Sequence, residues 1–123
     1  MQRSTAMVKC YHTYLVAYID REIARYYISL IPKAFQTKGT RYAPHITIVR
    51  YGVESVTDIS LADKYDGMEV EFEYDPVTYF HHPYFFHDVF SRDIGDIRES
   101  LGMLRYRDGF DRYHFTIGNV KKS

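Results

Sequence analysis

Pro44-His45-Ile46-Thr47-Ile48-Val49-Arg50 is the stretch whose reading decides the fold, because it returns near the C-terminus as Tyr113-His114-Phe115-Thr116-Ile117-Gly118-Asn119. Both copies read His, apolar, Thr, Ile. In an extended strand, residues i and i+2 share a face, so each copy sets an imidazole beside a hydroxyl. Ile46 and Ile48, and likewise Phe115 and Ile117, point the other way, into a core. Two such strands facing each other place two imidazoles and two hydroxyls around one cavity, a set suited to handling a phosphate.

The segments around the motifs give them matching contexts. Tyr11 to Ile19 is β-branched and aromatic and reads as a strand. Asp20 can cap a helix, and Ile23, Tyr26, Tyr27, Leu30 and Ile31 follow at helical spacing. That predicts a helix over 21–31, ended by Pro32, although the Tyr-Tyr-Ile run also suits a strand. Residues 35–43 read as a polar loop with Lys38, Gly39 and Arg41, and Pro44 opens the first motif strand. A mixed stretch with a short helix near 57–64 follows. Met68, Val70, Phe72 and Tyr74 then alternate with Glu69, Glu71 and Glu73, as in an antiparallel strand with one face in water. Val77–His81 and Tyr84–Phe90 read as strands joined at His82-Pro83. Ile94, Ile97, Leu101 and Leu104 predict a helix over 92–104, and a loop through Asp108-Gly109 leads to the second motif strand at 113–120. The chain reads as two related halves, each too small to hold a core alone, in one α+β domain over 10–123 after a flexible tail at 1–9.

Composition narrows the function classes. Lys plus Arg equals Asp plus Glu at 16 each, whereas a non-specific nucleic-acid binder is normally basic. Long duplex nucleic acid is therefore not an expected partner; a small nucleotide or a short RNA end is. The single cysteine, Cys10, cannot close an internal disulfide, which points to a reducing, cytoplasmic setting. No apolar run reaches the roughly 18 residues of a membrane span.

Cleaving a phosphodiester takes a base for the nucleophile, an acid for the leaving oxygen, and donors for the phosphoryl oxygens. Imidazole suits the first two tasks near neutral pH. Thr47 and Thr116 can supply donors where charge builds in the transition state. The scheme asks for no metal and no cofactor. The pair His45-Ile46-Thr47-Ile48 and His114-Phe115-Thr116-Ile117 resembles the twin signature of the two-histidine (2H) phosphoesterase superfamily, which includes LigT-like RNA 2′,3′-cyclic phosphodiesterases and small viral members. The resemblance implies a bilobed α+β domain with antiparallel sheets, pseudo-two-fold related motif strands and two main helices. It also implies metal-free cleavage of a nucleotide phosphodiester, with His45 and His114 as acid and base and Thr47 and Thr116 binding phosphate. The expected substrate is a small nucleotide, a cyclic oligonucleotide or an RNA end. The alternatives are a nucleotide-sequestering module without turnover and an interaction protein in which both motifs only pack.

Further candidates flank the motifs. Arg50 and Asn119 lie five residues past their histidines, an odd offset that turns them to the opposite face unless a bulge or the strand end turns them back. Tyr42 is positioned to line a cleft or stack on a base, and Tyr113, next to His114, faces away in a regular strand. Tyr11, His12 and Tyr14 share the first strand, with Tyr11 a candidate substrate contact. His81, His82 and His87 lack the companions of a familiar metal site and read as hairpin and surface residues. The Glu69, Glu71 and Glu73 stripe would repel a polyanion and is expected away from the cleft, and Lys121 and Lys122 form a basic end.

Overall fold

The fold is that of a computed structural model and is described for residues 1–40, 42–54 and 59–120. Arg41, the first part of the helix expected at 57–64, and Lys121 and Lys122 lie outside the described residues. In chain order the elements are β1 (Gln2–Cys10), β2 (Tyr14–Tyr18), α1 (Arg21–Ser29), β3 (Thr37–Gly39), β4 (His45–Arg50), β5 (Glu69–Tyr74), β6 (Tyr79–His81), β7 (Tyr84–Phe90), α2 (Arg92–Ser100) and β8 (Tyr113–Val120). Short 3-10 turns occupy Lys33–Phe35 and Ile59–Tyr65. A mixed α+β fold, antiparallel strands and two main helices agree with the reading of the sequence.

The strands follow one another as β8-β4-β2-β1-β5-β7, and β7 pairs back with β8, so six strands close into a barrel. β3 and β6 add to β8 and β7 outside that ring. The ring is stitched unevenly. Among the described residues β4 meets β8 at Ile46–Phe115 alone, and β5 meets β7 at Glu73–Phe90 and Tyr74–Val89. The group β5-β1-β2-β4 and the group β6-β7-β8-β3 are thus joined at two narrow seams.

Alternation fills the interior. Ile46, Ile48, Phe115 and Ile117 are buried as their motif positions require, with Val70, Phe72 and Tyr74 from β5. Phe72 and Tyr74 reach the Phe115 ring at 6.4 and 5.6 Å although β5 and β8 are not hydrogen-bonded neighbours, so these contacts cross the interior. The motif histidines and threonines, one residue out of phase, face away from that core. Both helices start on side-chain caps: Asp20 accepts from the Glu22 amide, and Ser91 accepts from the Ile94 amide while donating to the Glu71 carbonyl.

Four expectations are corrected. Residues 2–10 are not a tail but strand β1, held between β2 and β5 with Ala6 and Val8 buried. Its inward positions are Ser4, Ala6, Val8 and Cys10, too small and polar a series to announce a strand. The 35–43 loop contains strand β3, paired with β8. Helix α2 stops at Ser100, and Leu104 is exposed. His87 is no surface residue: it is fully buried, and its ring lies 5.2 Å from Phe115 and 4.2 Å from Tyr27.

Both ring nitrogens of His87 are hydrogen-bonded, and burial favours the neutral ring. Its Nδ1–H donates to the Asp75 carbonyl at 2.8 Å, which leaves Nε2 to accept from the Thr78 hydroxyl at 2.8 Å. Burial holds its pKa below the ordinary 6.5, against the opposing pull of Asp75 and Asp88. The unfolded chain therefore takes up this proton at a higher pH than the folded one. Its contribution to stability is complete above the unfolded value and is lost as pH falls below about 6.5, by up to about 1.4 kcal/mol per pH unit. Urea unfolding between pH 7.5 and 5 will show a smaller loss in His87→Gln than in the natural chain; equal losses would refute a buried neutral His87.

Candidate active site

The site is built by two bulges at equivalent places. Across β2 and β4, Tyr18 opposes His45, Ala17 opposes Ile46 and Val16 opposes Thr47, but Leu15 then opposes Val49 and Tyr14 opposes Arg50. Ile48 is the extra residue. Across β7 and β8, Asp88 opposes His114, His87 opposes Phe115 and Phe86 opposes Thr116, but Phe85 then opposes Gly118 and Tyr84 opposes Asn119. Ile117 is the extra residue there. One added residue reverses which face every later side chain takes. Ile48 and Val49 are both buried, and Arg50 returns to the face of His45 and Thr47; Asn119 returns likewise to the face of His114 and Thr116.

The seam between β4 and β8 brings the two motifs together. The Ile46–Phe115 pairing, carried one residue each way, sets His45 opposite Thr116 and Thr47 opposite His114. Directly opposed side chains in such a pair have Cβ atoms about 5 Å apart and diagonal ones about 7–8 Å apart. The two imidazoles therefore stand on a diagonal with a hydroxyl beside each, a span that fits one phosphoryl group. All four side chains and Arg50 line one cavity of about 640 Å³, together with Lys38, Thr40, Tyr84 and Asn119. A second cavity of about 710 Å³ shares Tyr42, His45, Thr47 and Arg50 with the first and extends over Tyr14, Tyr18 and Tyr51. The result is one continuous cleft, polar and cationic at one end and tyrosine-rich at the other.

The two rings are held differently. His45 Nδ1 lies 2.9 Å from the Ala43 carbonyl, an acceptor only, so Nδ1 carries a proton and the neutral ring presents a bare Nε2. Its ring stands edge-on to Tyr18 at 6.1 Å, and Tyr18 is tied to Tyr11 by a 2.6 Å hydroxyl bond. His114 stands edge-on to Phe86 at 5.8 Å. Desolvation in the cleft wall moves its pKa below the ordinary 6.5; His45 and Arg50 push the same way, and Asp88 opposes them. His114 remains open to solvent on the cleft side, so the displacement is that of a wall group and not of a dry core.

Behind the cleft, Arg98 of α2 is 2% exposed. Its guanidinium donates to the Ile48 carbonyl at 2.7 Å and to the Glu54 carboxylate at 2.7 and 3.1 Å, and its Nε to the Leu104 carbonyl at 2.9 Å. The bulge residue thus receives its hydrogen bond from a buried cation. In β8, the residue after the bulge is Gly118, where a Cβ would lie 2.6 Å from the Lys38 carbonyl oxygen. Only glycine lets β3 approach there and bring Lys38 into the cleft.

Of the residues singled out in the sequence, His45, His114, Thr47, Thr116, Arg50, Tyr42 and Asn119 meet at the cleft. Tyr11 lines neither cavity and acts on the cleft through Tyr18. Tyr113 is buried, its hydroxyl donating to the Arg105 carbonyl. The Glu69, Glu71 and Glu73 stripe lines neither cavity. Tyr18, Asp88, Tyr84 and Arg98 went unread. The strand registers set Tyr14 to Tyr18 against Tyr84 to Asp88, one residue out of step with the spacing between the two motifs, so aligning the sequence on its motifs does not match Tyr18 with Asp88. No family model, curated protein or solved structure matches the chain.

Removing Arg98 strands the Glu54 carboxylate and the Ile48 carbonyl. Arg98→Met will cost about 3–5 kcal/mol in chemical unfolding, and Arg98→Met with Glu54→Leu will recover part of it. A cost below about 1 kcal/mol would show that the pair does not hold the bulge.

Proposed function

We propose that the protein is a metal-independent phosphodiesterase of the 2H type, with the bilobed fold of that superfamily, acting on a nucleotide phosphodiester. The observation that carries the reading is the meeting of His45, Thr47, His114 and Thr116 across one cleft, with Arg50 turned in beside them. Thr47 and Thr116 hold the non-bridging oxygens, and Arg50 offsets their charge. One imidazole takes the proton of the attacking oxygen as its bond to phosphorus forms. The other gives a proton to the leaving oxygen as its bond to phosphorus breaks. The attacker is water on a 2′,3′-cyclic phosphate or a 2′-hydroxyl of the substrate beside a 3′–5′ linkage. Tyr14, Tyr18 and Tyr42 offer ring faces to a base on one side of the phosphate, and Tyr84 on the other.

The test is turnover, with chelator present, of 2′,3′-cyclic nucleotides, short RNA ends and a panel of cyclic oligonucleotides. His45→Ala and His114→Ala will each lose on the order of 10²–10⁴-fold in kcat. Arg50→Met will act chiefly on KM. Tight binding of a panel member with no turnover would replace the enzyme by a sequestering module, and neither binding nor turnover would leave both motifs as packing.

A further inference from the structure

The two halves correspond in register, so the chemical mismatch directly across from the histidines is informative. Next to His45 on the cleft face stands Tyr18; next to His114 stands Asp88. Asp88 is 8% exposed, and its Oδ2 accepts from Arg112 Nη1 at 3.1 Å. Arg112 is held in turn by Asp111 at 2.7 and 3.1 Å. The carboxylate is therefore fixed as a cross-strand neighbour of the His114 ring, whereas the partner of the His45 ring is a neutral carbonyl.

We infer that Asp88 is the positioning residue that makes His114 the proton donor of the pair and leaves His45 as the base. The inference rests on the phosphodiesterase reading. In the step it assigns, His45 Nε2 takes the proton of the attacking oxygen, the new P–O bond forms, and the old P–O bond breaks as His114 passes its proton to the leaving oxygen. The charged and titratable groups around His114 are Asp88 from β7, His45 and Arg50 from β4, Lys38 of β3, Tyr42 and Tyr84 in the same cavity, and Arg112 with Asp111 at the start of β8. Of these, His45 and Arg50 disfavour an imidazolium at His114 along with desolvation, and Asp88 favours it. Across β2 from His45 the described neighbour is Tyr18, whose hydroxyl is engaged with Tyr11.

The experiment follows the ring signals of both histidines by NMR titration in the natural chain, Asp88→Asn and Arg112→Gln, alongside turnover by His45→Ala and His114→Ala of a substrate with a p-nitrophenolate leaving group. Asp88→Asn will move His114 down, on the order of half to one pH unit. Arg112→Gln, which unmasks the carboxylate, will move it up. A p-nitrophenolate leaving group, which departs without an acid, will restore turnover to His114→Ala and not to His45→Ala. Because the two variants shift His114 in opposite directions, general loosening of the fold cannot imitate the result. An unmoved His114 in Asp88→Asn, or rescue of His45→Ala instead of His114→Ala, would overturn the assignment. A shift of His114 in a chain that turns over no substrate upholds the coupling to Asp88 and counts against the phosphodiesterase reading; turnover with an unmoved His114 does the reverse.

Discussion

The Arg98 guanidinium donates to the Ile48 carbonyl, and the parity of β4 rests on that bond. A strand with an extra residue leaves a carbonyl outside the ladder, and an orphaned buried carbonyl costs about 1–3 kcal/mol. Arg98 meets that need and brings its own, since a buried cation requires a counter-charge. Glu54, four residues beyond Arg50, supplies it with both carboxylate oxygens. The ion pair is best understood through geometry rather than net stability. It fixes the extra residue at Ile48, and by doing so it fixes which face Arg50 takes.

β8 reaches the same parity by another route. Its bulge at Ile117 is followed by Gly118, whose missing side chain admits the backbone of β3. There Lys38 opposes Asn119, and both line the cleft. Each half therefore brings a polar residue back beside its histidine, Arg50 in one and Asn119 in the other, through a local irregularity supported from outside the strand. Among the described residues the seam between β4 and β8 is a single residue pair, so this internal support, more than the ladder between the two strands, is what holds the four catalytic candidates in place.

How much of this was legible depends on how local each determinant is. The motif strands, β5 and the two helices follow from periodicity and caps carried within a dozen residues. β1 was not legible because its inward residues are small and its partner β5 lies far along the chain. β3 was not, because a three-residue strand has no pattern of its own and is defined by Gly118. His87 looked like a hairpin residue, since nothing beside it in sequence announces the Asp75 carbonyl and Thr78 hydroxyl that make its burial possible. The face of Arg50 turned on a bulge whose support, Arg98, comes from another element altogether. The pairing of the two cleft motifs was legible only because the chain repeats itself.

Repetition alone, however, makes a site with two equal imidazoles, and acid–base chemistry needs two unequal ones. Symmetric strands would give both rings the same neighbours and the same preference for a proton. The inequality enters at the position opposite each histidine, where the β2 copy holds a phenol and the β7 copy a carboxylate. It enters again at the first ring's other nitrogen, which is committed to the Ala43 carbonyl. Net charge hides all of this, because the chain is neutral overall while Arg50 and Lys38 face the cleft and the Glu69, Glu71 and Glu73 stripe does not. On the phosphodiesterase reading, a neutral protein would draw a phosphate to one seam of its barrel, and the side chains that differ between the halves would decide which way the proton runs once it is there.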